Sequence, residues 1–203
     1  MAITTVAQLE ALYDTSVSQA AREKETDRVI APYAHLIEAS PFAILATSGP
    51  EGLDCSPRGD RPGFLKLQDD RTLILPDRKG NNRLDSLRNI LNDPRVALLF
   101  LIPGSGTTLR VNGRAIISDD PELLDSLAID GKPPKTALVI SVETVYFQCA
   151  RAVLRAGLWD SDSQVDPKSL PSAGDILEAV SQARINGESF DQDWNERAVK
   201  TLW

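Results

Sequence analysis

Arg58, Arg61, Lys66, Arg78, Lys79 and Arg83 crowd into one short stretch of a chain whose net charge is −7. Like charges so close repel one another unless an anion or carboxylates offset them. Guanidinium and ammonium groups in such a cluster are suited to a phosphate, which accepts several charge-assisted hydrogen bonds at once. Gly80, Asn81 and Asn82 lie just ahead of Leu84, Leu87, Ile90 and Leu91, whose spacing predicts one face of a helix. A helix start offers unpaired N–H groups and a partial positive charge, and Gly80 permits close backbone approach. Arg61 and Lys66 could reach the same anion if their strand folds back. Spacing alone leaves the plainer alternative open, with Arg78 and Lys79 in a solvated loop and Arg83 on a helix surface.

Composition narrows the chemistry. An acidic chain is a poor general partner for nucleic acid, whose phosphates favour clustered Lys and Arg. No apolar run approaches the roughly 20 residues needed to span a bilayer, and the first residues lack the pattern of a secretory signal. Cys55 and Cys149 are the two cysteines, far apart and outside any CxxC, which suits reduced thiols in a cytoplasm. Cys149 is expected to be buried. The single histidine, His35, excludes a His-rich metal site and leaves Ser-His-Asp chemistry little support. It is expected on a helix surface or in packing.

The elements that must position the cluster follow from periodicity. Val6, Leu9, Leu12, Tyr13, Val17 and Ala20 predict a helix within residues 5–31, and a second helix is expected over 27–39, stopped by Ser40 and Pro41. Strands are expected over 42–47, 53–56, 63–68, 72–75, 95–102, 107–118 and 136–147. Asp93 and Pro94 end the helix after the basic stretch. Asn112 and Gly113 predict a bulge or bend, and Pro121 opens another helix. The run over 95–102 is apolar on both faces and so should be central and covered. The remainder after residue 147 should be helical to residue 203, with a break near 170–174. Strands joined by turns rather than helical crossovers argue for a mainly β fold with peripheral helices, its antiparallel sheet closed into a small barrel. One domain over 1–203 is expected, with N-terminal helices over 1–40, the barrel over 42–149 and a helical extension over 150–203.

Residues 42–114 also resemble the pyridoxamine 5′-phosphate oxidase-like split-barrel flavoproteins. The resemblance rests on Arg61-Pro62-Gly63-Phe64-Leu65-Lys66, Leu73-Ile74-Leu75-Pro76-Asp77, Asn81-Asn82-Arg83, Asp93-Pro94-Arg95-Val96, Leu98-Leu99-Phe100 and Leu109-Arg110-Val111-Asn112-Gly113, in that order. Cys55 to Phe64, Arg83 to Leu87 and Cys149 to Trp159 look like a bacterial branch of that superfamily with no assigned activity. The resemblance implies a six-stranded antiparallel split β-barrel of Greek-key type and a homodimer holding FMN at the subunit interface. It implies phosphate contacts from Arg61, Lys66, Asn81 and Arg83, with Pro76 and Asp77 beside the ribityl chain; Arg78, from its place in the cluster, is a further cofactor-binding candidate. Arg58 would face the flavin or substrate and is the candidate for tuning the ring. Thr108, Arg155 and Trp159 would come from the second subunit, although a Trp after an amphipathic helix also suits plain packing. The chain lacks an Arg-Leu-x-Pro-like end, so pyridoxamine phosphate oxidation is not the expected reaction. The expectation is an FMN-dependent oxidoreductase of open substrate, with NAD(P)H as a possible donor; the alternative is a non-catalytic flavin carrier or sensor. No metal, nucleic acid or membrane is expected as a partner.

Overall fold

Alternation of apolar side chains sets the sheet. Ala43 and Leu45 of β1 (Phe42–Gly49) are buried, as are Val96, Leu98 and Phe100 of β5 (Arg95–Leu101) and Leu109 and Val111 of β6 (Thr108–Ser118). Leu73 and Leu75 of β4 (Thr72–Asp77) and Leu138 and Ile140 of β7 (Thr136–Gln148) join the same core. The remaining strands are β2 (Gly52–Gly59) and a short β3 (Lys66–Asp69). The computed structural model describes residues 2–13 and 17–200.

The seven strands pair antiparallel in the order β2-β1-β5-β6-β7-β4-β3. Among the described residues the sheet is not closed, and helices cover about as many residues as strands. Both findings correct the expectation of a mainly β, six-stranded closed barrel. The edges β2 and β3 are poorly equipped to pair. Pro57 removes an N–H from β2, Pro62 removes another from the link, and β3 has four residues with a register shift at Leu67/Asp69. Proline and bulges belong on edges for this reason. The sheet still curls far enough for its two ends to meet through side chains, as Asp60, just after β2, bonds Arg78, just after β4.

Helices plug the curl. Val29, followed by Tyr33 and Ile37 of α3 (Ala31–Ala39), enters the core from one side, and Ile90 of α4 (Asp85–Asn92) also joins it. Helix α5 (Pro121–Ser126), capped by Asp120, brings Leu123 and Leu124 to the outer face of β4 and β7. The helix expected within 5–31 is instead two short ones, α1 (Val6–Glu10) and α2 (Gln19–Glu23), and residues 14–16 lie outside the described ones. Val6, Leu9, Leu12 and Tyr13 are all exposed, so no packing supports a longer helix there. The second helix starts at Ala31 rather than 27, because Pro32 favours a first turn and Thr26 bridges to Val145 instead. The bulge falls at Asn112/Gly113 as expected. Beyond β7 come α6 (Arg151–Ala156), two short 3₁₀ turns, α7 (Ala173–Val180) and α8 (Gly187–Lys200).

Candidate functional site

Residues opposite one another on a ladder share a face, so Asp54, Ser56 and Arg58 of β2 lie on the inner side with Thr47, Leu45 and Ala43. Polar groups on this inner edge must find partners. Arg58 donates to Ser86 Oγ at 3.1 Å, and the Ser86 hydroxyl in turn donates to Asp54. Ser86 sits in the first turn of α4 and is buried, so the helix pins Arg58 in place. Across the seam lies Asp77, the last residue of β4. Burial pushes its carboxyl above the usual range, and the charge of Arg58 opposes that rise. Thr136, paired with Asp77 on β7, has a buried Oγ1 without a hydrogen-bond partner among the described residues.

Asp60 and Arg78 close the same end. The Asp60 side chain is fully buried; it accepts from Arg78 Nε at 3.0 Å and from the Arg61 N–H at 2.6 Å. Pro76 is buried in β4 beyond the last residue that pairs with β3, where a missing N–H leaves no ladder bond broken. Arg61 and Lys66 are exposed on either side of the buried Phe64 and Leu65.

The helix start differs from expectation. Helix α4 begins at Asp85, so Gly80, Asn81, Asn82 and Arg83 form a loop leading into it rather than its first turn. Asn82 and Leu84 both take left-handed backbone, which uncoils the chain before the helix. Leu84 is the N-cap residue and provides no side-chain hydrogen bond, so no side chain at that position caps the helix. Asn81 accepts from the Arg83 N–H at 3.0 Å, while exposed Arg83 pairs with Asp85 at 2.7 Å. Asp85 itself complements the positive end of the helix.

Arg58, Asp77, Arg78 and Asp60 are therefore assembled at one end of the curl, with the loop bearing Asn81 and Arg83 leading into the helix that holds Arg58. Thr108, Arg155 and Trp159 belong elsewhere. Thr108 opens β6 opposite Gln148, and Arg155 is exposed near the end of α6. Trp159 donates from its indole N–H to the Ser105 carbonyl at 2.7 Å, latching the segment after α6 onto the β5–β6 loop. Cys149 is exposed, against the expectation of burial, because it follows the last residue of β7. A hydrogen bond from the Arg151 backbone holds its thiol below the ordinary range, helped by the charges of Arg151 and Lys24. His35 lies exposed on α3. Sequence reading missed Asp54, Asp60 and Ser86. The alternation of Asp54, Ser56 and Arg58 was the available signal, but it has meaning only once β2 is registered on β1.

Residues 31–149 match the pyridoxamine 5′-phosphate oxidase family, more than half of the chain. The chain belongs to this family. The matched span runs from the start of α3 to just past β7, so α6 to α8 lie outside it. HupZ from Group A Streptococcus is 21% identical, with a TM-score of 0.45 over 55% of this chain and 86% of that one. A protein related to general stress protein 26 from Clostridium acetobutylicum is 17% identical, with a TM-score of 0.46 over 58% of this chain and 86% of its own. An FMN-binding protein from Syntrophomonas wolfei is 15% identical, with a TM-score of 0.42 over 56% of this chain and 86% of that one. No curated protein matches the chain. Among the described residues no helix is long and apolar enough to cross a membrane, and no group of three or more His, Cys, Asp or Glu could hold a metal ion.

Proposed function

We propose that this member of the pyridoxamine 5′-phosphate oxidase family binds FMN and acts as a cytoplasmic, homodimeric FMN-dependent oxidoreductase on a small molecule. The observation that carries this reading is the basic cluster at the β2–β4 end of the curl, inside the family-matching span. The residues fit the phosphate. The start of α4 lacks a side-chain cap and Arg83 is exposed beside it, while Arg61 and Lys66 are exposed on the link between β2 and β4. Asp85 competes for Arg83, so phosphate binding in this reading displaces an exposed ion pair of small worth.

In this reading Arg83, Asn81 and the first N–H groups of α4 hold the phosphate, with Arg61 and Lys66 adding charge and Arg78 held in place by Asp60. Pro76 and Asp77 lie beside the ribityl chain, and the unpartnered Thr136 Oγ1 offers a further hydrogen bond near Asp77. Bound FMN supplies hydride or single-electron transfer. Arg58, oriented by Ser86, places a fixed positive charge where it can stabilise negative charge, and Asp77 holds a proton more readily than an ordinary carboxyl. Thr108, Arg155 and Trp159 would complete the site from the second subunit.

The test is the visible absorption spectrum of the purified protein, with the cofactor identified after denaturation and then challenged with NADH or NADPH. A flavin spectrum, released FMN and bleaching on reduction are expected. FMN that is bound but never reduced by any donor would favour a carrier. A colourless protein that ignores added FMN would overturn the reading. Arg83→Glu should weaken FMN binding by at least about 10-fold, whereas Lys168→Glu, outside the family-matching span, should leave it unchanged.

A further inference from the structure

Away from that seam, a cleft of about 430 Å³ opens between α3 and the ends of β6 and β7. Its walls are Ile30, Tyr33, Leu36 and Phe147, and its polar groups include Lys24 and Thr107. Tyr33 is almost fully buried, and its hydroxyl donates to the Lys24 carbonyl, which fixes the lysine backbone at the cleft. The Lys24 ammonium lies 5.1 Å from the Phe147 ring centre and 5.5 Å from that of Tyr146. Arg110 lies 5.5 Å from the same Tyr146 ring and donates to its hydroxyl at 2.9 Å.

Among the described residues, neither Lys24 nor Arg110 has a carboxylate within ion-pair distance. Glu23 also lines the cleft, but its carboxylate accepts from Gln19 Nε2 at 3.3 Å along α2. The nearby Cys149 thiol is held below its ordinary range in part by Arg151 and Lys24, which reports the same local positive field. Two aromatic rings can bear a cation, yet two half-buried cations around one ring lack the anion that would offset their repulsion. Apolar walls favour a flat, greasy ligand body, and a point-charge ammonium favours a compact anion at its end.

We infer that this cleft binds an aromatic monocarboxylate, its ring between Tyr33, Leu36 and Phe147 and its carboxylate on Lys24, with the Thr107 hydroxyl as a second hydrogen-bonding group. This site does not depend on the flavin reading, because it shares no residue with the β2–β4 seam. The experiment is calorimetric titration of the full chain as purified with 1-naphthoate and with its neutral analogue 1-naphthylmethanol. The acid should bind at least about 10-fold more tightly than the alcohol. Lys24→Met should remove most of that preference, Lys24→Arg should retain much of it, and Arg83→Glu should leave it unchanged. Equal binding of acid and alcohol would overturn the assignment, as would undiminished binding by Lys24→Met or no binding at millimolar ligand. Loss of acid binding in Arg83→Glu would move the ligand to the basic seam and also overturn it. Should Lys24→Met fail to fold, the acid–alcohol comparison on the unsubstituted protein and on Arg83→Glu still decides, because an acid preference that survives Arg83→Glu excludes the seam.

Discussion

Asp60 shows how a carboxylate can hold a cation cluster together while seeming to oppose it. Its side chain is fully buried and that of Arg78 is 17% exposed, so each depends on the other for its lost hydration. Removing one partner strands the other, a change that costs about 3–5 kcal/mol when both groups are fully buried. Residual exposure of Arg78 trims this, and Asp60→Ala should lower stability in urea by about 2–3 kcal/mol. Asp60→Leu combined with Arg78→Met should recover most of the loss, whereas an additive double variant would mean the two groups do not act as a pair. Asp77 behaves oppositely. Its pKa is raised by burial, so the folded state binds the proton more tightly than the unfolded one. Stability then falls as pH rises from the ordinary carboxyl range through the raised folded value. Asp77→Asn should melt higher than the parent at pH 7, by about 2 °C, and equally at pH 3, where the carboxyl is protonated in both states. A gap of the same size at both pH values would show that the effect is packing rather than titration.

Element by element, what could be read from sequence was local. The Asn112-Gly113 break marked the bulge, Pro121 marked the start of α5, and Asp93-Pro94 marked the end of α4. Each of these is a backbone constraint carried by adjacent residues. What escaped depended on contacts distant along the chain. Arg58, Ser86 and Asp54 meet only after α4 lies against β2, and Asp60 meets Arg78 only because the sheet curls. Closure was over-read because strands joined by short turns do not reveal whether Pro57, Pro62 and a four-residue β3 can complete a ladder. The bulge gives a sharp test of the element scale. A Cβ on Gly113 would fall 2.2 Å from the Ser141 carbonyl oxygen, and a backbone oxygen in a ladder cannot swing aside. Gly113→Ala should destabilise by about 2–3 kcal/mol. Gly80→Ala meets nothing within 4 Å and should be neutral in the same urea titration.

For the whole molecule, the outer face of the sheet is the unfinished part. Helix α5 covers β4 and β7, but Ala46 of β1, Ala97 of β5 and Asn112 of β6 line an open depression of about 410 Å³, with Arg95 and Glu143 also in its lining and Leu53 of β2 88% exposed at its edge. The run in β5 was expected to be covered on both sides, and its outer residues Ala97, Leu99 and Leu101 are only half-buried. An apolar strand near the middle of a sheet, lined outside by small residues, gains most from a flat apolar partner, and a two-fold axis lets one such face satisfy another. We therefore expect the proposed homodimer, if it forms, to use β1, β5 and β6. The proposed site needs Thr108, Arg155 and Trp159 of the second copy, so its completion depends on that interface forming. Ala97→Arg puts a charge on this outer face without touching the inner core that holds the fold. By sedimentation at micromolar concentration the variant should be monomeric, keep its circular dichroism and melt as a folded chain, and bind FMN at least about 10-fold more weakly than the parent. A variant that still dimerises would place the interface on another face. A monomer that binds FMN undiminished would mean that Arg58, Asp77 and Arg83 complete the site without Thr108, Arg155 and Trp159, and the exposure of Arg155 and Trp159 would then need another cause.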